Sequence, residues 1–334
     1  MAVEIALRLW GYQPGDMRPN WLNFKTVDSL YVVHDFYSDT DGILIADSAY
    51  WAQQGIHVNE GGFRSPDFGK ADSTKKKVMF IGDSFTWGFS ANPIPNHCFT
   101  DLLRNETNYD VINLGIPAAD PPQYLALAQK YIPRLKPDFV FVMFFMGNDL
   151  MQEDRKVTPG VPYFFLTNAG AIFADIDGKH FETAQQAYNY IVSDRYYLHH
   201  PKNIIEWLVS KSALLSRLYS VRFRIREKLD FEQAIKDSHI TKKYLEAIKA
   251  VAAQNHTRLK FVLIPEIKEA DMAPDKYRER YKDILEAPQL AQSWLMVKSS
   301  AACFNKYPDG HLNNKGHRVY ADFLEQYLKS ADSQ

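Results

Sequence analysis

The run Phe139-Val140-Phe141-Val142-Met143-Phe144-Phe145-Met146 does most to narrow what this chain can fold into. It has no polar break and no polar face, so it fits neither a surface helix nor a half-buried strand. A strand covered on both sides suits it, and such strands belong to parallel sheets with helices packed above and below. Gly147-Asn148-Asp149 ends the run and marks a turn at the strand's C-terminal end.

The pattern recurs along the chain. Lys77-Val78-Met79-Phe80-Ile81 runs into Gly82-Asp83-Ser84, and Tyr109 to Leu114 runs into Gly115. Leu259 to Ile264 ends at Pro265, and Trp294-Leu295-Met296-Val297 reads as a short last strand. Amphipathic segments lie between them. One falls near 96–106, another starts at Pro121-Pro122, and others cover Thr241–Ala253, Pro274–Leu285 and roughly 314–329. Proline in the first turn suits a helix start. The alternation predicts an α/β chain: a three-layer α/β/α sandwich around a central parallel sheet of about five strands.

The flanking regions differ. Residues 11–75 are rich in glycine and proline, with short β-prone runs at Leu30–Val33 and Gly42–Ile45, and 1–75 as a whole reads as an N-terminal arm packed on the catalytic domain at 76–330. Lys75-Lys76-Lys77 reads as a solvated strand entrance. Residues at about 150–238 interrupt the alternation with aromatic patches (Tyr163 to Phe165, Tyr188 and Tyr190, Tyr196 and Tyr197) and a basic amphipathic stretch, Arg217 to Lys228. They read as an insertion, either a lid or substrate wall or extra packing.

Composition excludes several classes. A net charge of −1 over 334 residues points to no nucleic-acid partner. Two cysteines, Cys98 and Cys303, make neither a disulfide framework nor a metal site, and their pairing is left open. No stretch is long enough for a transmembrane helix, and no signal peptide is visible. The apolar helical pattern of Met1 to Trp10 has two readings, the tail of a removed anchor or a start packed on the domain.

In a parallel sheet the polar strand ends share one edge, where open α/β sheets bind ligands. Gly82-Asp83-Ser84 alone is a turn with a capping serine. With the rest of the chain it supplies what acyl transfer needs. Ser84 is a poor nucleophile until a base takes its proton. His311, in the loop before the last helix, is the candidate base, and Asp309 the carboxylate that fixes its tautomer. The Ser84 and Gly115 backbone N–H groups and the Asn148 side-chain amide are candidate oxyanion donors. Asp83 reads as a structural hydrogen-bonder, Asp149 is open between roles, and His317 reads as structural or surface. His199-His200 reads as a solvated loop, and Asp175 to Gly178 as a plain turn. Asn105-Glu106-Thr107 and Asn255-His256-Thr257 match the glycosylation pattern, which arises often by chance.

Taken in order, these blocks resemble the SGNH/GDSL hydrolase superfamily. Gly82, Asp83 and Ser84 match its serine motif, Gly115 the glycine of its second block, Gly147-Asn148-Asp149 approximates its third without the spacer residue, and Asp309 and His311 match the last. The resemblance covers roughly 76–150 and 258–329. Most members place two residues between acid and histidine; here only Gly310 intervenes, a form similar to the subgroup associated with O-acetylation of bacterial polysaccharides. The resemblance implies a flavodoxin-like SGNH fold and a serine esterase that removes a short acyl group, such as acetyl, from a carbohydrate or lipid, with no metal or organic cofactor. It implies a small acyl ester or acylated glycan as partner, a membrane anchor missing from the N-terminus, and an extracytoplasmic location. Two alternatives stand beside it: a polysaccharide O-acyltransferase using the same triad, and a non-catalytic glycan-binding module.

Overall fold

The computed structural model describes residues 2–10, 36–38, 43–46, 48–53, 55–68, 74–117, 119–151, 154, 164–167, 170–173, 204–306 and 309–333. The chain divides into two compact units, Met1–Ser38 with Gly160–Glu232, and Asp39–Pro159 with Gln233–Gln334.

The larger unit is built on five strands: β1 (Lys76–Gly82), β2 (Tyr109–Gly115), β3 (Phe139–Phe145), β4 (Arg258–Ile264) and β5 (Trp294–Met296). They form one parallel sheet in the order β2-β1-β3-β4-β5, the flavodoxin-like doubly wound order. Gly82 sits opposite both Gly115 and Met143, so β1 and β2 end level with one another and β3 runs two residues further. That register brings the residues after each strand onto one edge.

The helices of this unit are α1 (Ser84–Trp87), α2 (Phe99–Glu106), α3 (Pro121–Leu135), α4 (His239–Gln254) and α5 (Asn314–Asp332), with shorter pieces at Pro274–Arg280 and Lys282–Leu285. Alternate strand residues face opposite layers. Val78, Phe80, Phe141 and Ile264 join Phe99 and Leu103 of α2 and Tyr320 and Leu324 of α5 in one core. On the other side α3 packs against α4, with Tyr124, Leu127 and Ile132 buried on the first and Leu245 and Ile248 on the second. Every residue of Phe139–Phe144 is buried. Each such side chain contributes roughly 1.5–3 kcal/mol by leaving water, so β3 is the axis of the sandwich.

The helix expected over Pro274–Leu285 is two helices with Tyr281 between them. Cys98 and Cys303 are both buried and unpaired. In the smaller unit lie the helix Ala2–Leu9, a hairpin of Phe164–Thr167 with Gly170–Phe173, the helix Ile204–Lys211 and most of the long helix Ala213–Lys236, which contains the basic stretch. Among the described residues no helix is long and apolar enough to cross a membrane. The run Leu30–Val33, the aromatics at 163, 188, 190, 196 and 197, His199-His200 and the turn at 175–178 lie outside the described residues.

Candidate active site

Ser84 is the first residue of α1, directly after the strand end. Asp83 caps that helix, its Oδ1 accepting the Phe85 N–H at 2.9 Å. Capping turns the chain sharply enough to lift Ser84 to the edge of the sheet, where its side chain is only partly buried. First-turn N–H groups have no partner within a helix, so the Ser84 N–H suits an external acceptor.

His311 arrives from the far end of the chain. Its Nε2 lies 2.8 Å from Ser84 Oγ, and its Nδ1 lies 2.7 Å from Asp309 Oδ1. A carboxylate only accepts, so Nδ1 carries the hydrogen and Nε2 is left to accept the serine proton. The loop holding His311 is pinned by the Asn305 N–H donating to the His311 carbonyl at 2.8 Å and the Asn313 N–H donating to the Cys303 carbonyl at 3.0 Å. Phe85 and Phe89 flank the imidazole, with ring centroids at 4.9 and 5.6 Å.

Asp309 and His311 are separated by Gly310, which has φ of +75°, in the left-handed region. That reversal lets side chains two residues apart meet across one glycine, where an extended chain would also put them on one side but too far apart to bond. Asn305 Nδ2 donates to Asp309 Oδ2 at 2.8 Å, so both carboxylate oxygens are engaged. Partial burial raises the Asp309 pKa, but hydrogen bonds from His311, Ser90 and Asn305 outweigh this and hold it below the usual carboxylate value.

Beneath the serine lies a pair of buried carboxyls. Asp83 and Asp149 are both fully inaccessible. Asp149 accepts from the Phe145 N–H at 2.8 Å and from the Tyr124 hydroxyl at 3.0 Å. Asp83 Oδ2 has no hydrogen-bond partner of ordinary geometry, although the Asn148 amide lies near enough to favour its charged form. Burial pushes Asp83 up to about 6, and burial followed by the charge of Asp83 pushes Asp149 well above the usual range.

The geometry corrects one expectation and, for His317, decides between structural and surface in favour of structural. The Gly115 N–H donates to Asn113 Oδ1 at 2.8 Å, so it is spoken for and does not face an oxyanion. Gly115 serves packing instead: a Cβ there would stand 2.5 Å from both Thr86 Cβ and the Trp87 backbone nitrogen. The missing side chain lets α1 sit directly on the end of β2. His317 is not on the surface. It is fully buried, takes the Phe99 N–H on Nδ1 at 3.4 Å, and burial lowers its pKa to about 3, so it is a neutral core residue.

Asn148 stands exposed in the turn after β3, and the nearness of its amide to Asp83 places it beside the residue that precedes the serine. Three contributors escaped sequence reasoning: Asn305, which holds Asp309; Phe89, which flanks His311; and Tyr124, which serves Asp149. Each lies in a segment whose local pattern is ordinary, and only tertiary contact gives it a role.

No protein-family model matches the chain, and no curated protein matches it in sequence. Matches do occur among solved structures, 35 chains in all. A GDSL-like lipase from Bacteroides thetaiotaomicron is 13% identical, with 85% of this chain and 98% of that one covered and a TM-score of 0.38. A psychrotrophic esterase from Pseudoalteromonas sp., inhibited by monoethylphosphonate, is 8% identical over 78% of this chain and 100% of that one, with a TM-score of 0.38. A two-domain esterase active on acetylated mannans is 12% identical over 78% of this chain and 50% of that one, with a TM-score of 0.39.

Proposed function

We propose that this chain is a serine-dependent ester hydrolase of the SGNH/GDSL type. The observation that carries the reading is the unbroken hydrogen-bond chain from Ser84 Oγ through His311 to Asp309, with contacts of 2.8 and 2.7 Å. It stands at the C-terminal edge of a parallel sheet, the usual place for ligands in such folds.

In the proposed reaction His311 Nε2 takes the Ser84 proton as Oγ attacks the acyl carbon. The carbonyl oxygen becomes an oxyanion held by the Ser84 N–H and the Asn148 amide. His311, now protonated at both nitrogens, is stabilised by the Asp309 carboxylate and gives its proton to the departing alcohol. Ser84 is left acylated. Water then loses a proton to His311 and attacks the acyl-serine, and collapse of the second tetrahedral intermediate frees the acid and returns the proton to Ser84. The substrate class that fits the resemblance is a short acyl ester, acetyl included, on a sugar or lipid hydroxyl. No step in this scheme requires a group beyond the chain's own side chains and water.

Hydrolysis of p-nitrophenyl acetate tests the assignment, with Ser84→Ala as the comparison. The variant is expected to lose activity to the level of buffer, and a fluorophosphonate probe is expected to label wild type at Ser84. Equal turnover by wild type and variant would overturn the reading.

A further inference from the structure

The helix that carries the nucleophile is too short to hold itself. α1 is a single turn of four residues, and fixing a first turn costs more conformational freedom than its few hydrogen bonds offset. Yet the site depends on where this turn points. Ser84 stands at its start. Just after its end come Phe89, whose ring centroid lies 5.6 Å from that of His311, and Ser90, whose side chain hydrogen-bonds the Asp309 carboxylate. One short segment therefore supplies the nucleophile and touches both the base and the acid.

The start of α1 is fixed by the Asp83 cap. Its end is fixed from outside. The Thr86 carbonyl accepts from Asn113 Nδ2 at 2.8 Å, and the Trp87 carbonyl accepts from Arg64 Nε at 2.7 Å. Carbonyls in the last turn of a helix have no partner within it, so they are open to such donors. Arg64 is buried, and its other two nitrogens are anchored on α2. Nη1 donates to Asp101 Oδ2 at 2.5 Å, and Nη2 donates to Thr100 Oγ1 at 3.3 Å. Asp101 also takes Arg104 Nη1 on Oδ1 at 2.8 Å. The guanidinium head is thus held by α2 while its Nε–H reaches α1.

Arg64 comes from the segment before β1, and that segment is fixed in turn. Asn59 Oδ1 accepts the Gly61 and Phe63 N–H groups at 3.0 Å, and Asn59 Nδ2 donates to the Pro66 carbonyl at 3.0 Å. Ser65 Oγ accepts the Asn113 N–H at 3.2 Å, which ties the loop to β2 at the asparagine that holds Thr86. A buried ion pair seldom adds net stability, because desolvation offsets its attraction. What a planar guanidinium does supply is donors in fixed directions. We propose that Arg64 is a positioning residue for the nucleophile. Its Nε–H sets where α1 ends, and so how Ser84 Oγ meets His311 Nε2. The effect on turnover rests on the hydrolase reading; the clamp on α1 does not.

Two substitutions separate the clamp from the charge. In Arg64→Gln the amide nitrogen falls where Nε stood along the side chain, so the Trp87 bond is kept and the ion pair with Asp101 is lost. Arg64→Lys keeps a charge within reach of Asp101 but puts a methylene where Nε stood. The rate of labelling by a fluorophosphonate is read per molecule finally labelled, so unfolded protein lowers the amplitude and not the rate. Arg64→Lys is expected to label fully but roughly ten- to a hundredfold more slowly, with kcat for p-nitrophenyl acetate falling alike and KM little changed. Arg64→Gln is expected to melt lower and to label near the wild-type rate. Wild-type rates in both variants, whatever their melting temperatures, overturn the proposal by leaving Arg64 a stabilising role alone. A slow Gln variant beside a normal Lys variant assigns the effect to the charge, and equal slowing assigns it to the ion cluster; either overturns it. Amide hydrogen exchange over residues 84–90 reads the clamp without activity. There the Gly88 and Phe89 N–H groups bond the Ser84 carbonyl, and exchange should quicken in Arg64→Lys. Unchanged exchange overturns the clamp even if wild type fails to label, a failure that would belong to the hydrolase reading.

Discussion

Replacing Asp83 by Asn isolates the charge buried beneath the nucleophile. Asn keeps an oxygen to accept the Phe85 N–H, so the cap on α1 survives. What disappears is a carboxyl whose second oxygen has no ordinary hydrogen-bond partner and whose pKa burial raises from 3.8 to about 6. A displacement of that size corresponds to roughly 3 kcal/mol. The sign follows from proton counting. Below about pH 4 the folded and unfolded chains both hold the proton, and the group costs nothing; between about pH 4 and 6 the unfolded chain has released it while the folded chain keeps it, so stability falls as pH rises. Above that window the full penalty remains. Wild type is therefore expected to lose about 3 kcal/mol relative to Asp83→Asn between about pH 4 and pH 7. Any fixed cost of burying the new amide shifts the whole difference without changing its slope. Urea unfolding of both proteins at each pH measures the difference directly. A difference that stays flat across the window, or one that favours wild type as pH rises, would refute the claim that Asp83 is a penalised buried acid.

Other outcomes follow from the same geometry. Asp309→Asn leaves His311 free to adopt the wrong tautomer, and kcat is expected to fall by roughly 10³–10⁴ with KM little changed in steady-state ester hydrolysis. Asn148→Ala removes a proposed oxyanion donor and is expected to cost about 10²–10³ in kcat, read in the same assay. Gly115→Ala forces a methyl against the α1 backbone and is expected to destabilise by about 1–3 kcal/mol in thermal unfolding. The folded fraction should then turn over near the wild-type rate. A fall in kcat with an unchanged melting temperature would return Gly115 to the oxyanion hole.

The sheet was legible because its central strand is buried on both faces, which leaves a continuous apolar run in Phe139–Phe144. Ser84 and His311 were legible for a related reason: each follows or precedes a regular element whose end the sequence marks with glycine, proline or a capping residue. Gly115 was misread because a glycine reports only that a side chain is unwelcome. Whether the space is needed by a ligand or by a neighbouring helix depends on Thr86 and Trp87, which pack there only after β1 and β2 pair. The carboxyl pair was illegible in the same way. Asp83 and Asp149 lie 66 positions apart in sequence, and nothing local says that both strand ends turn their acids into one dry space.

The shortened spacing between Asp309 and His311 comes down to one residue and can be tested there. Gly310 adopts φ of +75°, yet a Cβ built on it would meet nothing within 4 Å. Crowding therefore does not forbid a side chain at this position, and only backbone conformation does. An L-residue held in the left-handed region costs about 1–2 kcal/mol. The loop end is partly exposed and can relax to avoid that cost, so Gly310→Ala is expected to spend it by releasing Asp309 from His311 and not by unfolding the domain. The fraction of molecules with the carboxylate in place should drop about tenfold, since 1.4 kcal/mol is one decade. Steady-state kcat should drop with it while the melting temperature stays put. Gly310→Asn is the discriminating control, because asparagine tolerates left-handed backbone better than alanine. It should recover most of the lost turnover. If alanine and asparagine both match wild type, the turn is not what brings the acid to the base. If both are equally dead, space and not conformation is limiting, and the open surroundings of Gly310 must close when substrate binds.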